Sequence, residues 1–422
     1  MPENHALPTS RAATSSLDRI DWTGMTPFIL AHLVCFAAIW TGVSWVDLAV
    51  FAGLYALRMF GITGGYHRYF SHRSYKANRV VAFILGFIAQ SSAQRGVLWW
   101  AANHRHHHRH SDTVEDVHSP IHKGFWYSHL GWFFTPRYAE TDMEAVPDLA
   151  KYPELVWLDR HPYLPAVLLG LVTWLLAGWS GLIVGFFWST VALWHATFSI
   201  NSLAHVVGRK RYLTGDQSRN NWWLALLTFG EGWHNNHHHF QSAARQGFFW
   251  YEVDFSYYTL KVMSWARLVS DLKRPPQEVV TDMRRLGRGV IERAAQHLAA
   301  KFDVQNSVAE LQQALAPGRE RFDASIEGLH GWQAEMPEMI ERWKTQLAEN
   351  RTALSQEIDQ LVHSFDLSAL PSTEDLRKRA QKMFARHHAL PEVVQRAQEI
   401  LIERLTFELE RKVPVPVRAA QK

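Results

Sequence analysis

Cysteine is almost absent: Cys35 is the only one in 422 residues. One thiol cannot close an intramolecular disulfide, complete a cysteine-rich zinc site or hold an iron–sulfur centre. Charge is scarce over most of the chain. Residues 1–276 carry 23 Lys/Arg and 18 Asp/Glu, about 15% of positions, whereas residues 277–422 carry 21 and 22, about 29%. The formal net charge of +4 gives no case for a nucleic-acid partner. A cleavable signal peptide is not indicated. Residues 1–20 form a polar tail with Arg11 and Arg19, and no small-residue cleavage pattern follows the next apolar stretch, which is therefore expected to be retained.

What is present is apolar and aromatic. Hydrophobic residues make up 47% of the chain and aromatics 13%, which excludes a disordered protein. Seventeen of 19 Trp and 19 of 24 His fall within residues 1–276. A membrane-spanning helix needs about 20 apolar residues. Four stretches approach that length: 26–46, 47–64, 162–179 and 181–203. The short connections within each pair, 41–47 and 177–181, contain no Lys or Arg. The opposite flanks carry Arg11, Arg19, Arg68, Arg73, Lys151, Arg160 and Arg209-Lys210-Arg211. The positive-inside rule then predicts two helical hairpins, with both termini and the middle segment cytoplasmic. Val80–Ala89 is too short to span and is expected to be interfacial or re-entrant. Arg58, inside the second stretch, is expected to snorkel towards the cytoplasmic surface.

The histidines form a pattern. His67-Arg68-Tyr69-Phe70-Ser71-His72 follows the second stretch, His104-Arg105-His106-His107-His108 lies in the middle segment, and His234-Asn235-Asn236-His237-His238 follows the fourth. On an α-helix, positions i, i+3 and i+4 share a face. His104, His107 and His108 are therefore predicted to converge, as are His234, His237 and His238, and Asn201 shares a face with His205. His67 and His72 lie about 140° apart on an ideal helix. They are not expected to chelate one ion easily, but to reach two ions or sit where the helix ends. Nine imidazoles on one predicted side of a membrane exceed what one metal holds and suit a two-metal site. Imidazole accepts zinc, copper, iron or nickel, and spacing does not choose among them. His106, His110 and His239 fall off the pattern and are read as supporting or surface residues.

The boxes HRYFSH, HRHHH and HNNHH, in this order between apolar stretches, resemble those of membrane-bound fatty acyl desaturases, specifically the acyl-CoA branch. Asn201-Ser202-Leu203-Ala204-His205, Gly230-Glu231-Gly232-Trp233-His234-Asn235, Asp116-Val117-His118-Ser119 and Gly124–Trp132 are similar to further stretches of that family. The resemblance covers roughly residues 25–270. It implies an all-α membrane protein with four transmembrane helices and a cytosolic helical cap. It also implies two iron ions, ligated by His67, His72, His104, His107, His108, His205, His234, His237 and His238, with Asn201 acting through a water. The implied reaction is O2-dependent dehydrogenation of an acyl chain, at carbon nine of an acyl-CoA, with electrons from a separate ferredoxin, rubredoxin, cytochrome or flavin reductase. Trp99 and Trp100 are candidate walls of an acyl tunnel. Animal members carry Arg-Asp where this chain has Ala102-Asn103, which puts the CoA carrier in question beside acyl carrier protein and phospholipid. Arg73, Lys76, Arg109 and Lys123 are the nearest candidates for phosphate contacts. A related di-iron hydroxylase, ketolase or alkane monooxygenase is the competing enzyme reading. A membrane metal transporter is disfavoured because the ligands sit at the ends of the apolar stretches rather than at their midpoints.

Arg274-Pro275-Pro276 marks a boundary, with the desaturase-like domain over 21–275. Residues 276–422 are expected to form a charged helical extension, a small bundle or docking arm, with a helix start at Ser372-Thr373-Glu374-Asp375. An apolar stripe runs through Ile340, Trp343, Leu347, Leu354, Ile358 and Leu361. The haem signature His-Pro-Gly-Gly is missing, so a fused cytochrome-b5-type donor is not indicated.

Overall fold

The computed structural model describes residues 19–283, 285–303, 345 and 371–412. These are almost entirely helical, and the chain divides into two compact units, residues 1–284 and 285–422. In the first unit, α1 (Thr26–Cys35) and α2 (Ala38–Thr41) lead to a turn at Gly42, whose φ of 74° suits a residue without a Cβ. Ser44 then caps α3 (Trp45–Phe60): its hydroxyl accepts from the Asp47 backbone N–H, and Asp47 accepts from the Ser44 backbone in return. Such a cap is worth about 1 kcal/mol. From Phe60 the helix runs straight into a π-helix, Gly61–Ser71. Trp45–Ser71 forms one apolar helix of 27 residues, long enough to cross a membrane.

A second apolar helix, Leu164–His205, spans 42 residues. At 1.5 Å per residue it would reach about 60 Å if straight, twice a hydrocarbon core. It folds back at Gly178 instead, where φ is 65°. A Cβ on Gly170 would sit 3.5 Å from the Phe186 ring, and one on Gly185 would sit 3.7 Å from Thr173 Cγ2, so the two arms run antiparallel. The tips of both hairpins meet, because Ser180 donates to the Asp47 carboxylate at 3.1 Å.

Arg58 does not snorkel. Its side chain is fully buried between α3 and the second hairpin. The guanidinium donates to Leu54 O at 3.1 Å, Thr190 Oγ1 at 2.6 Å and Phe186 O at 3.3 Å, and to the Ser189 hydroxyl. Desolvating a cation is costly unless its N–H groups are all bonded. The neighbouring helix supplies those acceptors, so reaching for water gains nothing.

The segment between the hairpins builds the cap. Helix α4 (Arg79–Gln90) packs against the π-helix, where Gly65 lets Leu85 O approach: a Cβ there would lie 3.2 Å from it. Helix α5 (Val97–His110) carries the second histidine box. Its start is held by Asp159, whose Oδ1 accepts from the N–H groups of Leu98 (2.8 Å) and Trp99 (3.0 Å). A carboxylate there satisfies free helix donors and complements the helix dipole. Asp148 joins Arg105 of α5 (2.7 Å) to Arg73 (2.7 Å), just after the π-helix. Lys76–Ala77 pairs antiparallel with Val269–Ser270, closing the far end of the unit.

The first unit continues beyond Pro276. Val279 is buried with Tyr212, Ala243 and Phe248, and Tyr212 donates its hydroxyl to Val280 O at 2.8 Å. In the second unit, Arg288–Ala299, Thr373–Met383 and Leu390–Lys412 pack as a small helical bundle around Leu298, Leu376, Ala397 and Leu401. Ser372 caps its helix as the sequence predicts, accepting from the Asp375 N–H. The stripe from Ile340 to Leu361 lies outside the described residues.

Two outcomes follow. Truncation after Arg284 leaves an inserted protein with full metal content, whereas truncation after Pro276 removes the Val279 contact and lowers the melting temperature. Thermal scans and metal analysis of the two truncations distinguish them. Burial raises the Asp148 carboxyl, but its bonds to Arg105 and Arg73 outweigh that and hold it at about 2. Its stabilising contribution is therefore present above the ordinary value near 4 and is lost as pH falls towards 2. The melting deficit of Asp148→Asn should be constant between pH 7 and 5 and shrink below pH 4.

Candidate metal centre

The nine histidines meet in two adjoining nests. Nitrogens of His67, His72, His104, His108 and His237 lie within 4.8 Å of one another, and so do nitrogens of His107, His205, His234 and His238. The rings of His108 and His238, one from each nest, are 4.4 Å apart. The second and third boxes are each split between the nests, contrary to the prediction that each converges on one point. On α5, His104 and His108 differ by about 40°, while His107 lies about 100° from His108 and faces the other way. The helix His234–His239 repeats this, with His234 and His238 in one nest and His237 in the other. An i, i+4 pair stays together, and the residue just before the second member crosses over.

His67 and His72 do not reach separate nests: both enter the five-imidazole one, with His72 just past the end of the helix, the other placement expected of it. The reason is the π-helix. The His72 backbone N–H donates to His67 O at 3.2 Å, an i to i+5 bond. Residues five apart then return to nearly the same side, which an α-helix does not allow.

Within the nests it is Nε2 that points inward. His67 and His237 bring Nε2 atoms within 3.0 Å, as do His205 and His234, and His72 and His104 are at 2.9 Å. Nε2 of His107 and of His238 is buried with no hydrogen-bond partner. Four of the outer nitrogens are held by carboxylates. Nδ1 of His107 donates to Asp116 (2.9 Å), that of His205 to Asp112 (2.8 Å), that of His238 to Asp216 (2.7 Å) and that of His67 to Glu231 (2.5 Å). A bonded Nδ1–H leaves the Nε2 lone pair free, so this arrangement fits metal ligation. Burial holds His104, His108, His234 and His237 well below the usual imidazole value, with neighbouring imidazoles adding to it, so they are neutral donors. Burial raises the Asp216 carboxyl, but His238 beside it outweighs this and holds it well below the ordinary range. Asp112 and Glu231 are lowered in the same way against their burial, by His205 and by His67 with Arg68.

Sequence reasoning assigned no role to these carboxylates or to Arg68. Arg68 is fully buried and links Glu231 (3.0 Å) to Asp254 (2.8 Å), tying the first box to the third. Asp116 and Glu231 lie inside the quoted motifs, which was the available signal. Asp112 and Asp216 carried none. His118 is buried against His107, ring centroids 4.2 Å apart, and with Asp116 forms a third group of possible ligands. His106 is directed away from both nests, towards Glu115 O at 3.0 Å, and His110 pairs with Glu115 at 2.6 Å. His239 stacks on Tyr212.

A narrow cavity opens beside the nests, lined by His104, Trp99, Trp100, Trp132, Phe198 and Asn201 among others. Trp100 stacks on His104 at 4.8 Å, and Trp99 stacks on Trp132 at 5.7 Å. Both candidate tunnel walls therefore face this space. By contrast Trp126, from the same aromatic stretch as Trp132, is 72% exposed. Of the basic candidates, Arg73 is paired with Asp148 and Lys76 with Asp271 at 2.7 Å. Lys123 lies over the Tyr127 and Tyr138 rings, and Arg109 is exposed.

Two buried histidine nests, backed by carboxylates and set at one end of apolar helices beside an aromatic cavity, define a membrane-associated helical oxidoreductase. The chain belongs to the fatty acid desaturase family, whose model matches residues 43–252. It is 37% identical over 265 residues to the sn-1 stearoyl-lipid 9-desaturase of Anabaena variabilis, covering 62% of this chain and 97% of that protein. It is 37% identical over 254 residues to an acyl-CoA 5-desaturase of Anemone leveillei, covering 58% and 77%. It is 34% identical over 262 residues to the delta-9 acyl-lipid desaturase 1 of Arabidopsis thaliana, covering 61% and 85%.

His107→Ala and His237→Ala, each removing an imidazole from a different nest, should abolish turnover in an inserted protein. His106→Ala should keep most activity and metal. Metal analysis and product assay of the three variants check this. Metal loss in His106→Ala equal to that in His107→Ala would contradict the division of the box.

Proposed function

We propose that this desaturase uses two iron ions, held by the nine histidines, to introduce a cis double bond at carbon nine of a membrane-bound acyl chain. The observation that carries the reading is the pair of Nε2 nests next to a cavity with aromatic walls. Asn201, on that cavity beside His104, is proposed to act through a water. Acid–base side chains cannot oxidise an unactivated methylene pair, and two bound iron ions with O2 supply the oxidant. Each turnover takes two electrons from a separate donor protein and two from the acyl chain, with O2 leaving as two waters. The protein's own part is positional. Asp112, Asp116, Asp216 and Glu231 hold the imidazoles in one tautomer, and Trp99, Trp100 and Trp132 line the path that aligns the chain. Four membrane crossings, with the nests and both termini cytoplasmic, follow from the two hairpins and their basic flanks.

The resemblance to the acyl-CoA branch implies CoA as the carrier, and Ala102-Asn103 puts it in question. The ion pairs of Arg73 and Lys76 occupy two of the four cations suggested for its phosphates. This favours an acyl group esterified in a membrane lipid, as in the names of the Anabaena and Arabidopsis relatives, over the CoA thioester named for the Anemone enzyme.

Expression in a desaturase-deficient host, with lipids read by mass spectrometry, tests the reaction class. Loss of two hydrogens is expected, and gain of one oxygen would establish a hydroxylase instead. Purified protein in liposomes, supplied in turn with labelled stearoyl-lipid and stearoyl-CoA, tests the carrier. Label appearing in the unsaturated product from CoA alone would reverse the carrier assignment.

A further inference from the structure

The carboxylates behind the imidazoles are unevenly distributed. In the four-imidazole nest, three ligands are backed: His107 by Asp116, His205 by Asp112 and His238 by Asp216. In the five-imidazole nest, among the described residues, His67 alone donates to a carboxylate. That carboxylate, Glu231, is shared with the guanidinium of Arg68 at 3.0 Å. The outer nitrogens of His108 and His237 in this nest are buried with no partner. Lys210 lies beside the four-imidazole nest, donating to Asp216 O at 3.2 Å, and burial pulls its ammonium down to about 8. Lys210 and Arg219 offset part of the three carboxylates, whereas Arg68, shared with Asp254, sits directly on the single carboxylate of the other nest.

An imidazole whose Nδ1–H is bonded to a carboxylate is more basic and better oriented at Nε2. Buried negative charge also favours a cation more strongly than charge in water does. Ligand number favours the five-imidazole nest, and ligand backing favours the other. Each backing contact is worth about 10–100-fold in metal affinity, so three against one outweighs one further imidazole.

We propose that the two metal sites are unequal: the nest of His107, His205, His234 and His238 is the tighter one and fills first, with Asp112, Asp116 and Asp216 as its positioning residues. The inference rests on the two-iron reading.

Anaerobic titration of metal-depleted full-length protein with 57Fe2+, followed by Mössbauer spectroscopy, tests it. The first equivalent should give a single quadrupole doublet, and the second should add a different one. Asp116→Asn and Asp216→Asn should each weaken the first equivalent by about 10–100-fold. Glu231→Gln should leave the first equivalent in place and weaken the second. Both doublets growing in equal proportion from the start would overturn the inference while leaving the two-iron reading intact. Weakening of the first equivalent by Glu231→Gln, and not by the Asp variants, would reverse the order of the sites. Saturation of the wild-type protein below two iron ions per chain would overturn both. The wild-type titration decides the first question even if a variant does not fold.

Discussion

Lone pairs facing lone pairs are the constraint on which this fold is built. Imidazoles bring Nε2 atoms to about 3 Å in both nests, and burial keeps protons off His234 and His237. Such an arrangement is unfavourable unless a cation satisfies it, so the surrounding structure must hold it by force of geometry. Two short stretches of helix, a π-helix and a ring of carboxylates provide that geometry.

The same logic explains the two buried arginines. Arg68 and Arg58 are both fully enclosed, yet they solve different problems. Arg68 bridges the Glu231 and Asp254 carboxylates, holding the first and third boxes together and offsetting part of their charge close to the metal nests. Arg58 meets neutral acceptors, hydroxyl and carbonyl groups of the second hairpin, and binds one hairpin to the other. One acts on electrostatics, the other on helix register.

Apolar length and box spacing were enough to read the two long apolar helices and the clustering of histidines from the chain. The internal order of the centre was not legible. An α-helical wheel places His67 and His72 apart, and only the π register, which has no composition signal of its own, brings them together. The splitting of the second and third boxes follows from α-helical angles and was available in principle. It was missed because i+3 and i+4 were treated as one face. Asp112 reaches His205 across 93 residues, a separation at which local pattern carries no information. Arg58 was misread because snorkelling considers one helix against lipid, and the decisive acceptors lie on another helix.

The interleaving of the boxes has a consequence for biosynthesis. A chain is made from its N-terminus, and its segments fold as they emerge. The last ligand of the five-imidazole nest is His237, and the last of the other nest is His238. Both therefore close within a single step of elongation, on one short helix, after both apolar hairpins have left the ribosome. Before that moment the four-imidazole nest has His107, His205 and His234, and the other lacks the member that joins it to the third box. Completion of both cradles is a post-insertion event, so the newly made bundle must hold its shape before either cradle is whole.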